Sequence, residues 1–220
     1  SRYSYRSKVQ RLPIERISKA AANQRKGRCG RTSDGICIRL YSEEDFCSRI
    51  EYTEPEILRT NLASVILQMK ALKIGNIDEY PFINPPDKKF INDGTRLLSE
   101  INALDKEGKL TVIGKKIVRF PLDPRHARIL LAAHDFNCLY EISIIISALS
   151  IQDPRERPLD KQQKADESHK QFMDEASDFL WFLNLWNFYQ KQIKQLSQNK
   201  LRKLCQTNFL SYMKMREWID

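Results

Sequence analysis

The sequence predicts a mainly α, α+β fold built from more than one module. Apolar residues recur at helical spacing along most of residues 53–220, and capping residues stand in front of the main apolar runs. Strand-like alternation is confined to three short stretches, 5–17, 36–41 and 109–120. With 41% hydrophobic residues in 220, the chain has enough apolar surface for real cores.

Residues 5–17 interleave Tyr5, Val9, Leu12, Ile14 and Ile17 with Arg6, Lys8, Arg11 and Arg16, a pattern broken at Pro13 that predicts an edge strand or half a hairpin. Ser18 is a helix N-cap, and its helix should end near Gly27 or Gly30. Asp34-Gly35 then turns the chain into a short strand over 36–41, and Ser42 opens a brief helix. Thr53-Glu54-Pro55-Glu56 reads as a capping box with Pro in the first turn. One helix is expected from it, burying Ile57, Leu58, Leu62, Val65, Ile66, Met69 and Leu72 and stopping at Gly75. After Pro85-Pro86, Asp87 caps a second amphipathic helix carrying Phe90, Ile91, Leu97, Leu98, Ile101 and Leu104. Residues 109–113 and 116–120 read as short strands around Gly114. Helix, helix and small β wing is the order of a winged helix. In a free-standing winged helix the second helix reads DNA, but here Lys88, Lys89 and Arg96 are offset by Asp87, Asp93 and Glu100, which predicts packing.

From Pro124 the chain reads as helical, over 125–137, 141–150, roughly 174–196 and 207–218. Residues 152–173 are polar and are expected to form a long loop with a charged entry to the next helix. The stripe Phe179, Leu180, Phe182, Leu183, Trp186, Tyr189 and Ile193 predicts core rather than a base-stacking face.

Charge is unevenly placed. Of the 37 Arg and Lys residues, ten lie within 1–31 against Glu15 alone, while the remainder of the chain balances. Within that stretch, Gln24-Arg25-Lys26-Gly27-Arg28-Cys29-Gly30-Arg31 packs four cations around two glycines. Guanidinium forks bind phosphate oxygens bidentately, so this density on short backbone suits a compact polyanion such as a nucleoside triphosphate. On a helix, Gln24, Arg28 and Arg31 at i, i+4 and i+7 would share one face. In the preceding segment, Tyr5, Arg6, Lys8 and Arg11 combine rings that stack on bases with charges that pair with phosphates, as single-stranded RNA requires.

The eight-residue string fits Q-R-x-G-R-x-G-R and resembles motif VI of superfamily 2 helicases, with the leading Gln of the DEAH-box class. Ile17-Ser18-Lys19-Ala20, Ile38-Arg39-Leu40-Tyr41, Pro55-Glu56-Ile57-Leu58-Arg59-Thr60-Asn61-Leu62 and Phe120-Pro121-Leu122-Asp123-Pro124 are similar to further signatures of that class. Lys26, Cys29 and the run from Ser150 to Pro158 resemble its bacterial HrpA-type members. The resemblance covers essentially the whole chain. It implies the end of a second RecA-like domain over 1–52, a winged helix over 53–123 and a partial ratchet-like bundle over 124–220. It also implies an ATP-dependent RNA helicase moving 3′ to 5′ on single-stranded RNA, with Mg²⁺ in the intact enzyme. Gln24 would orient the attacking water or hold the γ-phosphate, Arg28 would pair with that phosphate, and Arg31 would stabilise transition-state charge. Arg25 is an equal match to an internal salt bridge. Residues 3–17 would be the second arm of the hairpin that the family projects from its second RecA-like domain.

No G-x-x-x-x-G-K-[ST] phosphate loop occurs, since Gly108 and Gly114 are six apart. Asp166-Glu167-Ser168-His169 matches D-E-x-H, but its lead-in is polar rather than an apolar strand, which points to a solvated loop or helix start. The fragment alone is therefore expected to hydrolyse no ATP and to hold no cofactor. Its partners would be RNA, ATP and the rest of the helicase chain. A non-enzymatic winged-helix and bundle module binding RNA or a protein stays open as an alternative, while the neutral second helix argues against a transcription regulator. Five cysteines without a C-x-x-C pair, no signal peptide and no membrane-spanning run predict a cytoplasmic protein with free thiols. His126, His134 and His169 lack metal-like spacing, so no metal site is expected.

Overall fold

The computed structural model describes residues 2–4, 7–11 and 13–220, with backbone alone at 9–11. The chain divides into two compact units, 1–119 and 120–220. Tyr5 and Arg6, both expected at the RNA, lie outside the described residues, as does the side chain of Arg11.

The first unit opens with an antiparallel hairpin, β1 (Arg2–Ser4) and β2 (Val9–Arg11), in which Tyr3 pairs with Gln10. Both arms therefore lie inside this chain, whereas the resemblance implied that only a second arm was present. Helix α1 (Lys19–Lys26) follows, then α2 (Glu43–Cys47). Ser18 and Ser42 cap them as expected, accepting from Ala21 N and Asp45 N.

The single helix expected after Thr53 is divided. A 3₁₀ turn (Glu56–Leu58) is separated from α3 (Ala63–Leu72) by a break at which Asn61 Oδ1 accepts from Ala63 N. The capping box does not form, because the Thr53 hydroxyl is paired with that of Ser18 at 2.9 Å. Leu72 is exposed rather than buried, and the helix ends at Lys73 in the left-handed conformation. Asp87 caps α4 (Lys88–Glu100), which packs on α3 so closely at Gly94 that a Cβ there would lie 3.0 Å from Ala63 N. Leu62, Ile66, Leu67, Ile91, Leu97 and Leu98 form the buried seam between them.

The two expected wing strands are replaced by a helix. Thr111 Oγ1 accepts from Gly114 N and starts α5 (Val112–Ile117), leaving one bridge, Leu104 to Leu110, as the extended pairing. Gly114 is wedged against Ala103, whose carbonyl oxygen would lie 2.1 Å from an added Cβ. That close approach admits no larger residue at this position.

The second unit is all helical: α6 (Pro124–Asp135), α7 (Leu139–Ser150), α8 (Gln162–Lys170), α9 (Asp178–Ile193), α10 (Gln198–Thr207) and α11 (Tyr212–Ile219). Sequence periodicity missed α8 and α10 as separate helices. Its aromatic stripe is core, but rotated: Trp181, Leu185 and Tyr189 are buried at the centre, while Phe179 is exposed. They pack with Ile144, Leu201, Met215 and Trp218. Every buried indole N–H is satisfied, Trp218 donating to Ser147 Oγ at 2.9 Å and Trp181 to the His169 carbonyl at 3.2 Å. His169 Nε2 lies 3.0 Å from the Phe209 carbonyl, which also accepts from Glu156 N. Asp166 pairs with Arg157 at 2.6 Å. The D-E-x-H string therefore sits within α8, with its histidine fixed in the core and its first acid in a surface pair.

Candidate phosphate-binding site

The start of α1 is built by the segment that returns to it. Its first N–H groups, otherwise unpartnered at a helix start, donate to the carbonyls of Ile50 and Glu51 at 3.0 and 2.9 Å. Ser18, 2% exposed, is held by Thr53, and Lys19 faces Glu51 at 3.5 Å. Arg49 stacks on Tyr41 at 3.8 Å from its ring centre, donates to Asp45 at 2.9 Å and reaches the Ile17 carbonyl. Arg16 completes a second contact with Asp45 at 2.9 Å.

The helix stops where the glycines begin. Gly27 is the C-cap, and Arg28 N and Cys29 N continue with turn hydrogen bonds to Arg25 and Lys26. Gln24 and Arg25 thus stand on the last turn, while Arg28 and Arg31 lie on the loop beyond it. The expected helical face shared by Gln24, Arg28 and Arg31 does not exist, because Gly27 ends the helix one residue before Arg28. Gly30 has φ 75°, and the loop folds back so tightly that a Cβ on Gly35 would meet Cys29 Cβ and Gly30 N at 2.9 Å.

Residues 36–41, expected as a strand, have no ladder partner among the described residues and form none, the chain bending at Leu40 and Tyr41. Arg39 donates to Asn23 Oδ1 on α1 at 2.8 Å and covers the Phe46 ring. Ile36, Ile38 and Leu40 alternate with it and are 87%, 80% and 95% exposed.

The described basic side chains of 2–31 fall into two sets. Arg2 meets Glu15 and Glu54, Lys8 lies 3.4 Å from Glu100, and Arg16 and Lys19 face Asp45 and Glu51. The hydrogen bond and charge of Glu15 raise the Arg2 pKa, with Glu54 adding to the effect. Tyr3 fixes the hairpin from the other side, its hydroxyl donating to the buried Asp93 at 2.7 Å. Arg25, Lys26, Arg28 and Arg31, by contrast, are all exposed, and none has a side-chain partner among the described residues. Gln24 beside them is equally open. Sequence alone carries no signal for this division, because several of the partners lie far along the chain; Glu100 is 92 residues from Lys8.

Four unpaired cations on an exposed helix end and a glycine-bent loop fit the oxygens of a polyphosphate. Among the described residues no group of three or more His, Cys, Asp or Glu is placed to hold a metal ion. No described helix is long and apolar enough to cross a membrane.

Residues 95–122 match the profile described as helicase associated domain (HA2), winged-helix, and residues 123–182 match helicase associated domain (HA2), ratchet-like. The chain is 60% identical over 227 residues to the ATP-dependent RNA helicase HrpA homolog of Haemophilus influenzae, and 61% identical over 225 residues to ATP-dependent RNA helicase HrpA of Escherichia coli. Both alignments cover 100% of this chain and 17% of the relative. Probable ATP-dependent RNA helicase DHX35 of Homo sapiens is 38% identical over 211 residues, covering 96% of this chain and 29% of the relative. The chain therefore spans about a sixth of the length of its bacterial relatives.

Proposed function

From a chain that belongs to the HA2-containing region of HrpA-type DEAH-box helicases, we propose that the intact protein is an ATP-dependent RNA helicase. It couples ATP hydrolysis to 3′-to-5′ movement along single-stranded RNA, in the cytoplasm. Residues 1–52 supply the end of its second RecA-like domain, 53–123 its winged helix and 124–220 part of its ratchet-like bundle. Arg28 pairs with the γ-phosphate, Arg31 neutralises charge developing as that phosphate is transferred, and Gln24 positions the attacking water. Arg25 takes a lesser share of the phosphate charge. ATP is the substrate, and Mg²⁺, which neutralises phosphate charge, is held by residues elsewhere in the enzyme. Tyr5, Arg6, Lys8 and Arg11 form the hairpin's contact with RNA, for which Lys8 exchanges its exposed partner Glu100 for a phosphate.

One observation carries this reading: among the described residues Arg25, Lys26, Arg28 and Arg31 have no side-chain partner, while Arg2, Lys8, Arg16 and Lys19 each face a carboxylate. A surface helix that used its charge for stability would pair it, as Arg49 does with Asp45. RNA-stimulated ATP hydrolysis by the intact protein tests the proposal. Turnover that disappears in Arg31→Ala while RNA affinity is kept supports it; unchanged turnover in that variant removes Arg31 from the site. The 220 residues by themselves should show no turnover.

A further inference from the structure

Overall charge balance after residue 31 hides a local concentration of one sign. Where α3 ends and the 105–119 segment passes it, a cleft of about 610 Å³ is lined by Lys70, Lys73, Lys109, Lys115 and Arg119, with Glu107 as its one acid. Two left-handed turns shape its walls. Lys73 at φ 56° closes α3 on one side, and Gly108 at φ 74° bends the Asp105–Lys109 turn on the other, where Lys109 N donates to Asp105 Oδ1 at 2.8 Å. Ala71, Leu110 and Val118 contribute apolar surface between the walls. Lys70 is tied to Asn76 at 2.7 Å, but Lys73, Lys109, Lys115 and Arg119 have no side-chain partner among the described residues.

Helix dipoles account for part of this. Lys70 and Lys115 stand in the last turns of α3 and α5, where a cation is favoured. That effect does not reach Lys109, on a turn between helices, and it gives no reason for the charges to converge on one concavity. Like charges gathered around a cleft repel one another until an anion enters.

We propose that this cleft is a second RNA contact, separate from the arginine loop and the hairpin, which grips the phosphodiester backbone without reading sequence. The inference rests on the helicase reading for its choice of RNA. Cations on two facing walls suit the regular charge spacing of a nucleic-acid strand, and the apolar surface between them suits ribose faces. The strand would be held chiefly by charge, so its affinity would be steeply salt-dependent.

The test binds a fluorescein-labelled oligouridylate to the intact protein and to a Lys73→Gln/Lys115→Gln/Arg119→Gln variant across a salt series, with RNA-stimulated ATP hydrolysis measured alongside. The variant should bind more weakly, and its slope of log K against log[salt] should be shallower by about 0.7 for each phosphate it no longer neutralises. Its melting temperature should be unchanged, because the three side chains are exposed, and a Lys73→Arg/Lys115→Arg variant should keep the wild-type slope. Unchanged affinity and slope in the triple variant would overturn the proposal. Equal competition by polyglutamate would also overturn it, since the cleft would then be a surface for acidic peptides. If ATP turnover responds to RNA but the triple variant binds RNA normally, the cleft fails and the helicase reading stands. If no turnover is found but the triple variant loses RNA, the helicase reading fails and the cleft stands.

Discussion

The cations of residues 2–19 and those of 25–31 have the same charge and opposite surroundings. Arg2, Lys8, Arg16 and Lys19 each face a carboxylate and tie the hairpin and α1 to the rest of their unit. Arg25, Lys26, Arg28 and Arg31 face solvent from backbone that two glycines keep short and bent. The first group holds structure together. The second leaves its charge available to an incoming anion. Density of Arg and Lys along a sequence therefore says less about binding than whether the fold supplies each one with a partner.

The sharpest way to break that comparison is to remove the unpaired set. Arg28→Ala and Arg31→Ala in the intact enzyme should each lower kcat by roughly 10³-fold or more, the scale of an arginine finger. Thermal unfolding should be nearly unchanged, because neither side chain touches protein. A large loss of melting temperature in either variant would put it in the structural group.

Loop shape can be tested without touching charge. Gly35→Ala places a methyl against Cys29 Cβ and Gly30 N at 2.9 Å, so the loop must shift. Misplacing a catalytic group by about 1 Å can cost about 10²-fold, and turnover should fall towards that scale with all four cations present. Wild-type turnover in this variant would mean that the loop's position is immaterial.

The paired set should respond in the opposite sense. Arg49→Ala removes one of the two partners of Asp45, the donor to Ile17 and the cover over Tyr41, and should cost about 2 kcal/mol of stability, the scale of a charged hydrogen bond. Chemical denaturation reads this directly. Lys8→Ala breaks an exposed pair with Glu100 and should cost no more than about 1 kcal/mol. The smallest effect lies in the other unit. Burial raises the Asp153 pKa, but hydrogen bonds and charge from Arg155 outweigh it and leave the group below its usual range. Its contribution is present above the unfolded-state pKa and is lost as pH falls through the lowered folded value. Asp153→Asn should therefore lower stability slightly at neutral pH and leave it unchanged in acid, where the native carboxyl is already protonated, so that the acid limb flattens.

Local chemistry was well written in the sequence. Ser18, Ser42 and Asp87 cap where their side chains predict, and Gly27 ends α1. Long-range constraints were not. Thr53 looks like the cap of a helix but is engaged by Ser18, 35 residues earlier. Residues 109–113 and 116–120 read as strands around Gly114, but 112–117 form a helix that Thr111 caps, with Gly114 fitted against Ala103. Residues 36–41 have strand composition and no partner to pair with among the described residues. The basic string at 24–31 was legible as a cluster of cations, although the helical face its spacing suggested is absent, whereas the cleft at Lys73 and Lys115 was invisible, because compensating acids elsewhere cancelled its charge in any linear count.

The aromatic core of the second unit has one practical consequence. All three tryptophans, Trp181, Trp186 and Trp218, lie in that unit, two of them buried and hydrogen-bonded, and the first unit has none. Indole fluorescence is thus a private optical signal of the helical bundle, while tyrosines and backbone ellipticity see both halves. Comparing the two signals during unfolding would show whether the halves melt together or one after the other, with no label attached.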